Sequence, residues 1–113
     1  MSKAINFNNV KKHYLTVTLA DENKTTLMIG TPTKAIMDEL LLLQSSLERL
    51  NEEEGSADVT DDLYISCAKV MSRNKGGINI SKEYLAEIFD FEDITLFFTA
   101  YMDFISEVTS VKN

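Results

Sequence analysis

Tryptophan is absent from this chain, and histidine, cysteine and proline occur once each, as His13, Cys67 and Pro32. A single cysteine forms no internal disulfide framework and fits a reducing compartment. Cys67 has no CxxC partner and falls on the apolar side of a helical pattern, so it reads as a small core residue. A single histidine cannot begin an imidazole cluster, and the residues beside His13 are Lys12 and Tyr14 rather than a carboxylate or thiol. We read it as an ordinary surface residue. Glycine is sparse, and Gly76-Gly77 begins neither GxGxxG nor a Walker loop, which leaves a turn. No run approaches the roughly 18 apolar residues of a membrane span, and the first residues hold no apolar signal core. The expected location is therefore the cytoplasm, and the Asn-x-Ser/Thr sequons at Asn23 and Asn79 read as coincidence.

Positive charge is scarce in most of the chain. Residues 1–34 hold five lysines against Asp21 and Glu22, a balance of +3, and the remainder holds six basic and sixteen acidic residues, a balance of −10. An acidic body repels nucleic acid, stays soluble, and steers towards a basic partner. A chain of 113 residues with 44% hydrophobic composition has room for one domain, 1–113, with one modest core.

Local patterning divides that domain into a hairpin region over 1–30, a first helix over 31–54 and a helical part over 58–113. Tyr14–Ala20 places Leu15, Val17 and Leu19 opposite Thr16 and Thr18, while in Thr25–Ile29 the residues Leu27 and Ile29 oppose Met28. With Asp21–Lys24 between them these segments predict a β-hairpin, with Ile5 and Phe7 as a short third strand. Thr31 is the expected cap of the first helix and Pro32 its first residue. Ile36, Leu40, Leu43, Leu47 and Leu50 form its seam, leaving Met37, Leu41 and Leu42 off it. Asp58 or Thr60 is the expected cap of a second helix over Asp61–Arg73, with Leu63, Cys67, Val70 and Met71 on its buried side. Gly76 and Gly77 supply positive φ angles after it, and Ile78 and Ile80 bridge to the hairpin. Ser81 caps a short helix, and Asp90-x-x-Asp93 caps a final helix from Phe91 to about Thr109. The expected class is α+β, a mostly helical small domain with an N-terminal β-hairpin.

No constellation points to catalysis, a cofactor or a metal. Asp58–Asp62 lacks the glycine and closing glutamate of an EF-hand loop and reads as helix capping. No carboxylate pair is spaced for glycosidase chemistry. What stands out is apolar surface. In the final helix an arc of about 160° is filled by aromatic and aliphatic residues from Phe91 to Val108, at 100° per residue. Leu96 and Ala100 drift back towards Phe104 at spacing i, i+4, i+8. Most of these residues suit a core. Leu96, Ala100 and Phe104, with Leu41 and Leu42 of the first helix, are the expected partner-binding residues. Met28, Met37 and Met102 suit an adaptable surface of that kind.

The order of elements carries a resemblance. A hairpin runs into Thr31-Pro32-Thr33 and a leucine-rich helix. A later helix ends in Arg73-Asn74-Lys75-Gly76, followed by Ile80-Ser81-x-Glu83-Tyr84-Leu85, Phe89–Asp93, and a closing helix with Phe97, Tyr101, Phe104 and Ile105. This resembles the tail assembly chaperones of long, non-contractile-tailed phages and prophages of Gram-positive bacteria, most closely over residues 72–108. The resemblance implies a non-enzymatic protein of the host cytoplasm, absent from the finished virion. Many copies would coat the tape measure protein until tail tube subunits polymerise around it. A frameshifted longer form would recruit tail tube protein, and this chain would be the short form, with self-association into a homo-oligomer also expected. The rival is an acidic inhibitor that mimics DNA to occupy a host nucleic-acid-binding protein, which requires carboxylates in duplex-like rows on one face.

Overall fold

Leu15–Thr18 (β1) and Thr26–Ile29 (β2) pair antiparallel, with Leu15 opposite Ile29 and Thr18 opposite Thr26, in a computed structural model that describes residues 4, 6–7, 11–49 and 57–110. The alternation does what the sequence predicts: Leu19, Leu27 and Ile29 are buried, Leu15 and Val17 half-buried, and Thr16, Thr18 and Met28 exposed. The turn closes on Asp21, whose carboxylate accepts from the Thr25 amide (2.9 Å) and hydroxyl (2.7 Å). Phe7 lies in a turn, 73% exposed, rather than in a third strand, and Ile5 is outside the described residues.

The first helix, α1, runs over Lys34–Glu48 with Thr33 as its cap, two residues later than the sequence suggests. The Thr33 hydroxyl accepts from the Ile36 amide at 3.3 Å. Gly30 and Thr31 are held in extended chain by Arg73, which accepts from the Gly30 amide and donates its Nε to the Thr31 carbonyl. Leu40 and Leu43 are buried, with Ile36 and Leu47 packed beside them; Leu50 is outside the described residues.

Helix α2, Ala57–Met71, starts earlier than expected, so Asp58 and Thr60 lie inside it rather than capping it. Val59, in that extra turn, packs partly buried against the core. Leu63, Cys67, Val70 and Met71 are buried as the spacing predicts, and α2 is the hub, touching α1, β2 and the two helices that follow. Those are α3, Lys82–Ile88, capped by Ser81, and α4, Phe91–Ser110. At the head of α4, Asp90 and Asp93 exchange amide-to-carboxylate bonds of 3.1 and 2.8 Å, the reciprocal cap expected there.

The link between α2 and α3 departs from expectation. Only Gly77 of the glycine pair has a positive φ, 73°. The bridge to the hairpin comes from Asn74 opposite Ile29, not from Ile78 or Ile80. Buried Asn74 explains why: its amide nitrogen donates to the carbonyls of Met71 (2.8 Å) and Ile78 (2.6 Å), and its oxygen accepts from the Ile78 amide (2.8 Å). That closed turn lays 73–75 along β2, and the Lys75 amide reaches the Met28 carbonyl at 2.9 Å. Ile80 instead exchanges two bonds with the Ser72 hydroxyl. The described residues thus form a small α+β domain, four helices with an N-terminal two-stranded hairpin.

Candidate partner-binding surfaces

Four consecutive leucines cover most of a helical turn, so Leu40 and Leu43 can face inward only if Leu41 and Leu42 face out. Leu41 is 48% exposed and Leu42 73%. Leu42 lines a groove of about 330 Å³ between α1 and α2, with Glu39, Ser46, Asp62 and Ile65 among its other walls. Lys69 of α2 bridges that groove's end to Glu39 of α1 at 3.0 Å.

On α4 the expected residues separate. Leu96 is 70% exposed and Ala100 is exposed too, and both line a second groove, of about 320 Å³, between α4 and β1. Phe104 does not join them: it is buried, only 8% exposed, with its ring 5.9 Å from that of Tyr101. Each step of four residues turns the helix about 40° beyond a full rotation, so two steps carry position 104 about 80° from Leu96 and into the core. The surface reading of Phe104 is corrected accordingly. Phe97, Phe98, Tyr101 and Ile105 share its fate, whereas Phe91 at the head of the arc stays exposed. Of the three methionines, Met28 is exposed and Met37 and Met102 are half-buried against the core.

The two grooves share no lining residue, so Leu41 and Leu42 are not brought together with Leu96 and Ala100 in one cleft. Each is an apolar strip on a helix whose opposite side is core. Their electrostatics differ. The α1–α2 groove mixes Glu39, Asp62 and Lys69. Around α4 the sign is uniform: residues 83–110 carry acidic side chains at 83, 87, 90, 92, 93, 103 and 107, and no basic one.

The residues considered for chemistry are dispersed. His13 is exposed. Cys67 is buried, and burial pushes its thiol up to about 12, far from the thiolate a nucleophile needs. Asp61 pairs with Lys82. Among the described residues no group of three or more His, Cys, Asp or Glu could hold a metal ion, and no helix is long and apolar enough to cross a membrane.

One feature was missed in the sequence: the outer edges of the hairpin are not equivalent. The edge of β2 is covered by 73–75, while β1 pairs with β2 alone among the described residues. A two-stranded hairpin always has two outer edges, but which one the rest of the chain covers is a long-range outcome.

Comparison with protein-family models, curated proteins and solved structures found no match. The fold and its surfaces define a small α+β domain with two separate grooves, one of mixed charge between α1 and α2 and one mainly apolar between α4 and β1.

Proposed function

We propose that this chain is a non-enzymatic phage tail assembly chaperone, which binds the tape measure protein and keeps it soluble while the tail tube assembles. The reading rests on the resemblance in element order. The observation that carries it physically is the exposure of Leu42 and Leu96, each beside a groove, on helices whose opposite sides are packed in the core. A long, largely helical client offers continuous apolar stripes, and a small protein with two separate apolar strips can cover such a stripe and engage a further segment or a neighbouring copy. An acidic exterior keeps the coated client dispersed.

Coexpression with a tape measure fragment tests the proposal. The wild-type chain should hold the fragment in the soluble fraction. Leu42→Asp and Leu96→Asp should each reduce that solubilisation while the far-ultraviolet circular dichroism stays helical. Solubilisation unchanged in the double variant removes both grooves from the interface.

The uniform sign of residues 83–110 gives the DNA-mimic inhibitor its one supporting observation. Exposed Leu96 and Ala100 interrupt the acidic side chains, where a duplex mimic needs an unbroken row. Competition with duplex DNA for a host protein would favour the inhibitor over the chaperone.

A further inference from the structure

The register of the hairpin decides where its main-chain groups point. The Leu19 amide donates to the Thr25 carbonyl at 2.8 Å, and bonded pairs alternate along an antiparallel ladder. Leu15 and Val17, opposite Ile29 and Leu27, therefore turn their main-chain groups towards β2, while Thr16 and Thr18 turn theirs outward. On β2 the equivalent outward carbonyl, that of Met28, is taken by the Lys75 amide. On β1, among the described residues, nothing pairs with the outward N–H and C=O groups of Thr16 and Thr18. A free edge of this kind templates another strand.

This edge does not face open solvent on all sides. It forms one wall of the 320 Å³ groove whose other wall is Phe89, Asp93, Leu96, Phe97 and Ala100. Leu15 and Val17 are only half-buried, and both line the groove. An incoming strand would place alternate side chains over them and against Leu96 and Ala100.

We infer that the open β1 edge and the α4 wall together form a strand-addition site for an extended segment of another protein, with alternating apolar residues and flanking lysine or arginine. Main-chain complementarity selects an extended segment, because a helix spends its own amide and carbonyl groups internally. Charge selects the flanks: Asp93 is the one charged side chain among the residues lining the groove, and it favours a cationic neighbour. A second copy is disfavoured by the net charge of −7 that each chain carries. The site shares the α4–β1 groove with the chaperone reading, and the main chain separates the two: a client helix seated at Leu96 would leave the outward groups of Thr16 and Thr18 unpaired, whereas an added strand would pair them.

The test uses the full chain and a blocked peptide in which valine and threonine alternate over five residues between paired lysines. Binding is followed by calorimetry, and amide hydrogen exchange is read at Thr16 and Thr18. The peptide should bind, slow exchange at both amides at least tenfold, and bind more weakly as salt rises. N-methylation of the peptide's alternate amides should weaken binding at least tenfold without altering the protein, as should replacing its lysines by glutamates. Thr18→Pro, which deletes one outward donor and spares the β1–β2 ladder, should weaken binding, and Thr18→Val should not. Absence of binding, binding without protection of Thr16 and Thr18, or equal affinity for the N-methylated peptide would overturn the inference. So would protection of those amides by self-association, which would make a second copy the occupant.

Discussion

The hydroxyl of Tyr101 donates to the main-chain carbonyl of Gly30 at 2.7 Å, tying the middle of α4 to the residue that follows β2. Tyr101 is also the centre of an aromatic row, 5.9 Å from Phe97 on one side and 5.9 Å from Phe104 on the other. Burial pushes its phenol up to about 12. Tyr101→Phe should keep the row and lose the bond, costing about 1–2 kcal/mol in a urea denaturation series. Tyr101→Ala should cost about 3–5 kcal/mol by emptying the site as well. Equal stability of wild type and Tyr101→Phe would show that the bond adds nothing.

Asp21 ties the hairpin turn to α3. Thr25 donates to its carboxylate twice and the Tyr84 hydroxyl, 2.5 Å away on α3, donates once more. The side-chain bond from Thr25, then that from Tyr84, holds the carboxyl at about 2, below its ordinary 3.8. A carboxyl depressed on folding stabilises the fold fully above its unfolded value, and the contribution is lost as pH falls from about 4 towards 2. Carbon-detected carboxyl titration should place Asp21 at about 2, below its ordinary 3.8, and Tyr84→Phe should move it upward. A Tyr84→Phe protein with an unchanged Asp21 titration would rule out the contact as a cause.

Leu96 and Phe104 lie two steps apart on one helix yet predict opposite behaviour. Leu96→Ala touches mainly solvent and should change stability by no more than about 0.5 kcal/mol. Phe104→Ala removes a buried ring and should cost about 3 kcal/mol or more. Thermal unfolding of the two variants separates them, and a mild Phe104→Ala effect would return that residue to the surface.

Cys67 should resist thiol reagents in the folded protein. It is buried, with its thiol held up near 12, and its helix is the hub of the core. Modification by a disulfide reagent should therefore follow unfolding, accelerating with denaturant in step with the loss of helix signal. Fast labelling under native conditions would contradict the packing of α2.

Much of the architecture was legible because it depends on short-range rules. Period-two alternation gave the hairpin faces, Ser81 and the Asp90–Asp93 pair marked two helix starts, and the spacing of Leu63, Cys67, Val70 and Met71 fixed the inner side of α2. The starts of α1 and α2 coincide with long-range contacts: Arg73 bonds Gly30 and Thr31 just before α1, and Val59 in the first turn of α2 packs against the core. The Asn74 bridge has a similar origin, since a side chain that closes a turn by bonding main chain at Met71 and Ile78 leaves no periodic signal.

The candidate surfaces divide along the same line. That Leu41 and Leu42 must face outward follows from four leucines in a row, and the single sign of residues 83–110 is written in the chain itself. Both are properties of neighbours in sequence. Which half of the α4 arc is covered, why Phe104 sinks while Leu96 does not, and which edge of the hairpin stays open were decided only when α2, α4 and the 73–75 turn settled against one another. Each of those outcomes depends on what a distant segment brings to the contact, and a periodic pattern records only the direction a residue faces, not whether anything meets it there.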